Sequence, residues 1–284
     1  LRNARYSEGE EYFETGLMNT IASVSASLYV FSILLFFVYA SLGMDSLRRK
    51  LLLLSSLSEP IHIMAFVGRD GVVFWLFSFV FLFLLFRPYL SKCYIKNNKK
   101  KVVLLFIALM IPFLAITAGR FDDSDSGMGG SIVSYMGQGF VYGPLFFDLK
   151  NPPYQPLSSF PLVREIINVE TPITGIIEIG EWRSWCFSTF ISGFVRNFGY
   201  FGTYVIALFL ILISLFSYIK HTKSFTFNDI ILYMLYFQII GQGVFYFRQY
   251  TRGGNLFIIM TVVLYFVFKH CCKHTITLYR QPIH

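Results

Sequence analysis

The sequence predicts an all-α, polytopic transmembrane bundle of about seven spans with one large outer loop, occupying residues 1–284 as a single integral membrane domain. Three observations predict it. Hydrophobic residues make up 55% of the chain and charged residues only 14%, too apolar a balance for a soluble domain of this length. The apolar residues fall in continuous runs, not in the short alternating segments of a barrel. In lipid, only helices or closed barrels satisfy their own backbone polar groups, so continuous runs mean helices. The third observation is that lysine falls in every second connection between runs: Lys50; Lys92, Lys96 and Lys99–Lys101; Lys220 and Lys223; Lys269 and Lys273. By the positive-inside rule those connections face the cytoplasm.

Each run is judged against a bilayer core that about 20 apolar residues cross at roughly 1.5 Å per residue. The candidates are 17–40, 51–67, 72–90, 102–118, 197–219, 230–247 and 256–268, the last needing its flanks to span. Residues 1–16 are polar and are expected outside. The chain starts at Leu1 without a signal-peptide pattern. An outer N-terminus and inner C-terminus then suggest a C-terminal portion of a longer protein whose earlier helices precede it.

The loop over about 120–195 is the one long connection. It opens on Phe121-Asp122-Asp123-Ser124-Asp125, runs through Tyr135, Gly137, Gly139 and Gly143, and passes Pro152, Pro153 and Pro156. Connections of this length are functional or disordered, and Trp182, Trp185, Phe187 and Phe190 weigh against disorder.

The outer face keeps its positive charge almost wholly as arginine: Arg2, Arg5, Arg69, Arg120, Arg164, Arg183, Arg196, Arg248 and Arg252 against Lys150. The planar guanidinium binds phosphate with two prongs, so these arginines are candidates for a lipid phosphate or pyrophosphate. Each also has a plainer reading as an interfacial anchor. Arg69 lies in Gly68-Arg69-Asp70-Gly71, either a hairpin with a weak surface ion pair or an arginine held at a cavity mouth. Tyr135 and Trp182 are candidates to stack on sugar, with an aromatic interfacial belt as the alternative.

Within the second run, Glu59 and His62 stand one helical turn apart, at a depth where ionisable groups rarely face lipid. They form either a packing pair or the polar floor of an outer cavity, with His62 a candidate proton acceptor. Asp122, Asp123 and Asp125 either orient Arg120 or accept a proton; their spacing is no calcium loop, and no metal or other cofactor is expected. Three of four cysteines fall on the inner side, leaving Cys186 no outer partner. Nothing requires nucleic acid: the Lys96–Lys101 run is a solvated turn, and no P-loop or GxGxxG occurs.

Four segments, over about 60–250, resemble the bacterial O-antigen or oligosaccharide repeat-unit polymerases of the Wzy type. They are Gly68-Arg69-Asp70-Gly71-Val72-Val73; Arg120-Phe121-Asp122 followed by Ser134-Tyr135-Met136-Gly137-Gln138; Ser188-Thr189-Phe190; and Arg196-Asn197-Phe198-Gly199-Tyr200-Phe201-Gly202. The resemblance implies an all-helical membrane glycosyltransferase in the bacterial inner membrane. Its substrate would be an undecaprenyl-pyrophosphate-linked oligosaccharide, and its partners membrane lipid, a chain-length regulator and a flippase. Arg69, Arg120 and Arg196 match the family's pattern. Taken with the residue readings above, the catalytic candidates are Arg69, Arg120, His62 and Asp122, and the substrate-binding candidates Arg196, Arg248, Arg252, Tyr135 and Trp182. A flippase or other transporter, and an O-antigen ligase, stand as alternatives.

The lysine asymmetry generates a topological prediction. In a background lacking the native cysteines, Asp125→Cys is expected to react with an impermeant thiol reagent on intact cells and Asn98→Cys only after permeabilisation. Labelling of position 98 but not 125 on intact cells would reverse the orientation.

Overall fold

The computed structural model describes residues 25–65, 70–121, 159–168, 178–179, 182–183, 189–220, 224–244, 252–271 and 277–279, with positions 21, 137 and 157. Among the described residues the fold is predominantly helical, and three helices are long and apolar enough to cross a membrane: Asp70–Tyr89, Lys92–Ala118 and Phe190–Ile213. The chain groups into two compact units, Leu1–Gly129 with Arg280–His284, and Gly130–Tyr279.

In the first unit, α1 (Tyr29–Ser41) ends where Gly43, at φ 65°, takes the left-handed conformation that turns the chain. Asp45 then caps α2 (Ser46–Ser55) by accepting a hydrogen bond from the Leu47 amide at 2.9 Å. The second run is one span in the sequence reading, but here it is divided. Helix α2 stops at Ser55 and α3 (Ser58–Ala65) begins after a turn at Ser56 and Leu57. Ser56 marks the division: its hydroxyl donates back to the Leu53 carbonyl at 2.6 Å and accepts from Trp75 Nε1 at 3.0 Å. Such back-bonding from serine competes with the helical ladder.

Helix α4 (Asp70–Phe86) is the centre of this unit, packing against α1 and α3. Val72, Trp75 and Leu82 of α4 and Val30 and Ile33 of α1 have no solvent exposure. Trp75 stacks on Phe79 at 5.1 Å between ring centroids; Phe79 meets Phe37 at 5.1 Å, and Phe37 stacks on Phe86 at 5.8 Å. Lipid is as apolar as these rings, so packing and ring geometry, not exclusion of water, hold such helices together inside a membrane. Each aromatic pair contributes about 0.5–1.5 kcal/mol beyond its buried area.

A short 3₁₀ turn, Arg87–Tyr89, leads to α5 (Lys92–Phe121), whose first turn is capped by Ser91 accepting from the Tyr94 amide at 3.2 Å. Pro112 inside α5 removes one backbone donor. Phe106 of α5 meets Phe79 edge-on at 5.8 Å. Only 11% of the apolar window of α5 is buried, against 44% for α4, so α5 presents most of its side chains outward.

In the second unit, α6 (Pro161–Ile166) follows the turn at Leu157 and Ser159, with Pro161 at its first position. An antiparallel ribbon joins β1 (Glu178–Ile179) to β2 (Trp182–Arg183), pairing Ile179 with Trp182. Helix α7 (Phe190–Lys220) begins earlier than the run at 197–219 and is broken at Gly199, whose φ of 67° and ψ of 179° only glycine adopts readily. A second ribbon pairs β3 (Ser224–Thr226) with β4 (Thr277–Tyr279). It ties the start of α8 (Phe227–Tyr236) to the end of α9 (Arg252–Cys271), and Phe227 meets Phe268 there at 4.9 Å. Thr226 and Asp229 close a capping box on α8. After Tyr236 the helix widens into a π segment, Phe237–Gly241. The two ribbons are an addition to the all-helical reading.

A close helix contact generates a prediction. A Cβ at Gly71 would lie 2.8 Å from the Ile63 Cβ and 3.0 Å from the Glu59 carbonyl oxygen, so α3 and α4 meet through a missing side chain. Gly71→Ala is expected to destabilise the protein by about 1–3 kcal/mol, as overpacking does. Thermal or SDS denaturation of the purified protein measures it, and an unchanged midpoint would show that the contact relaxes freely.

Candidate functional site

The second unit gathers buried polar side chains around one residue. Ser159 uses three groups at once. Its amide donates to Asn197 Oδ1 at 3.1 Å, its hydroxyl accepts from Asn197 Nδ2 at 2.6 Å, and its carbonyl accepts from Asn255 Nδ2 at 2.9 Å. Asn197 stands on α7 and Asn255 on the first turn of α9; all three residues are at most 5% exposed. Asn197 Nδ2 also donates to the Gly193 carbonyl one turn back. The hub therefore fastens the entry to α6, the first segment of α7 and the beginning of α9 to one another. Buried polar groups that lose a partner cost about 1–3 kcal/mol each, so the arrangement is a strong constraint on where these helix ends sit.

The sequence explains each part locally. The turn before Pro161 leaves backbone groups outside any helix, and Asn197 and Asn255 supply the partners. Phe190, Phe194 and Phe198 recur every fourth residue along α7, with centroids 5.7 and 6.0 Å apart, and Phe198 continues the row to Phe160 at 6.2 Å. The π segment of α8 delivers Gln238 and Gln242, 4% and 1% exposed, to the same unit. Beyond it, the Gly243 carbonyl accepts from the Phe190 amide at 2.8 Å. A Cβ on Gly243 would stand 2.9 Å from Phe190 Cβ and 2.1 Å from the Ile239 oxygen, so only glycine fits. Single π turns inside helices are frequent at functional sites.

Two of the sequence candidates flank this hub. Arg196 immediately precedes Asn197 and is half-buried; Arg252 opens α9 one turn before Asn255. The hub thus holds together the backbone segments that carry both arginines. Trp182 lies on β2 in the same unit. In the first unit, Glu59 is 1% exposed and His62, one turn later on α3, is half-buried. Arg120 is the penultimate residue of α5. Arg69, Asp122, Tyr135 and Arg248 lie outside the described residues.

Ser159, Asn255, Gln238 and Gln242 are absent from the sequence-level candidates. The signal for Asn255 was an amide at the edge of an apolar run, and for Ser159 a serine before a helix-opening proline. Among the described residues no group of His, Cys, Asp and Glu is placed to hold a metal ion. No family model, curated protein or solved structure matches this chain.

Chemically, the hub is an anchor with no free acid or base of its own, flanked by guanidinium-bearing positions on α7 and α9. Asn197→Ala and Asn255→Ala are each expected to destabilise the second unit, with a coupling energy of about 0.5–3 kcal/mol in the double variant because both act through Ser159. A double-mutant cycle on denaturation midpoints checks this. Strict additivity would mean that the two amides act independently.

Proposed function

We propose that this chain is a bacterial inner-membrane glycosyltransferase, a polymerase of lipid-linked oligosaccharide repeat units that builds O-antigen, capsule or exopolysaccharide. The transfer takes place on the outer face of the membrane. A hydroxyl of the acceptor sugar attacks the anomeric carbon of the donor glycan, the carbon–oxygen bond to undecaprenyl pyrophosphate breaks, and the pyrophosphate departs with the electron pair. The acceptor proton passes to a base, for which His62 and Asp122 are the candidates. The seven-span topology, with the 120–195 loop outside and the C-terminus in the cytoplasm, belongs to the same reading.

The observation that carries it is the placement of Arg196 and Arg252 beside a buried hydrogen-bond hub. Stabilising a leaving pyrophosphate calls for cationic donors fixed before the reaction begins, and a pinned backbone is what fixes them. Arginine retained on the face where positive charge is topologically disfavoured supports the same assignment. Arg69, Arg120 and Arg248 complete the proposed phosphate-binding set, and Tyr135 and Trp182 the proposed sugar-stacking set. A chain-length regulator and a flippase are the proposed protein partners.

A flippase is the second reading, and the break at Gly199 and the π segment of α8 favour it, since transporters place substrates at interrupted helices. The two readings separate in a deletion strain. Single repeat units accumulating on the outer leaflet identify the polymerase, and accumulation on the inner leaflet identifies the flippase. Within the polymerase reading, Arg196→Lys and Arg252→Lys are each expected to lower polymer yield by about 100-fold, the loss of one preorganised donor at a developing anion. Charge survives that substitution but the two-pronged geometry does not. Silver-stained glycan ladders at equal protein abundance provide the readout, and wild-type ladders in both variants would make these arginines interfacial anchors.

A further inference from the structure

The first unit carries a second concentration of charge, far in kind from the arginine set. The guanidinium of Arg49, on α2, lies over the Tyr94 ring at 5.2 Å. That contact sets the basic segment Arg48-Arg49-Lys50 of α2 against the start of α5, which holds Lys92, Lys96 and Lys99–Lys101 with no acidic residue in its first turn. Arg48 pairs with Asp45 at 3.7 Å, both largely exposed. Arg49 Nε is buried without a hydrogen-bond partner among the described residues.

Along the exposed face of α5 the surface becomes apolar. Lys99, Lys100, Val103, Leu104 and Ile107 share that face and line a shallow, open groove along it. Val103, Leu104 and Ile107 are 49%, 67% and 53% exposed. Within a membrane-spanning helix such residues meet acyl chains, and the lysines at the end of the span meet headgroups.

We infer that this groove is a binding site for one anionic phospholipid: the phosphate sits on Lys99 and Lys100, and an acyl chain lies along Val103, Leu104 and Ile107. Charge complementarity selects the occupant. A zwitterionic lipid would satisfy the apolar part as well but would bring an ammonium to the lysines. The site depends on no particular reaction, so it stands apart from the glycosyltransferase reading.

Native mass spectrometry of the whole purified protein tests it, with equimolar dioleoyl phosphatidylglycerol and dioleoyl phosphatidylcholine supplied in detergent micelles. Phosphatidylglycerol is expected to be retained preferentially. The preference should fall roughly fivefold for each lysine lost, as one basic residue near a lipid surface contributes. Lys99→Gln/Lys100→Gln should therefore bind the two lipids nearly equally, while Lys99→Arg/Lys100→Arg, which controls for folding, retains the preference. Lys220→Gln/Lys223→Gln, in another connection, should also retain it. Equal retention of both lipids by the wild type would overturn the inference. So would a preference that survives in the glutamine pair, or one lost equally in the Lys220/Lys223 pair. Excess inorganic phosphate that displaces the bound phosphatidylglycerol would identify a free-phosphate site instead and also overturn it.

Discussion

Ser159 sets the geometry of the second unit because it has only three polar groups and all three are engaged. Its amide and hydroxyl hold Asn197, and its carbonyl holds Asn255. An asparagine amide buried among apolar side chains has few ways to be satisfied, so each contact restricts the position of a whole helix end. Removing the serine hydroxyl would leave Asn197 short of an acceptor; moving α9 would leave the Ser159 carbonyl short of a donor. The helix beginnings at α6, α7 and α9 therefore move as a set or not at all. A site that must hold an anion without reorganising needs this kind of support beneath its cationic residues.

Glycine does the complementary work of letting backbones approach and bend. At Gly199 the chain turns through a conformation closed to other residues, which separates the segment bearing Arg196 and Asn197 from the outward-facing part of α7. Thr203 steadies the break by donating to the Gly199 carbonyl at 2.7 Å. Gly243 lets the chain beyond the π segment touch the first turn of α7. Gly71 does the same for α3 and α4 over Glu59. The Gly68-Arg69-Asp70-Gly71 motif thus contains a glycine whose demonstrable role is close packing, independent of what Arg69 does.

Apolar run length and lysine placement made the long helices legible: α4, α5 and the main part of α7 lie where continuous hydrophobic sequence puts them. The division at Ser56 was read over, because four leucines before it and two isoleucines after it look like one run. Its sequence signal is Pro60, which has no amide hydrogen to donate to the Ser56 carbonyl four residues back; the bond from Trp75 Nε1 to the Ser56 hydroxyl adds a tertiary hold. The early start of α7 was hidden for a similar reason. Thr189, Ser192, Arg196 and Asn197 look like loop, yet the phenylalanines at 190, 194 and 198 supply a helical stripe among them. For the candidate site, sequence pointed to arginines by their charge and location. It could not point to Ser159 or Asn255, since their importance lies in reaching each other across 96 residues.

The two concentrations of positive charge call for different chemistry because their residue types and surroundings differ. Arg196 and Arg252 sit on backbone that internal hydrogen bonds hold in place, and arginine rewards such preorganisation with directional, paired donors. The lysines of α5 stand on an exposed helix surface, as compact, strongly hydrated charges on flexible stems. Flexible ammonium groups discriminate poorly between transition state and ground state, but they suit a mobile headgroup whose position varies. Arginine on firmly held backbone and lysine on an exposed helix surface are therefore separate uses of the same charge. The residue choice at each place follows from how firmly the surrounding backbone is held.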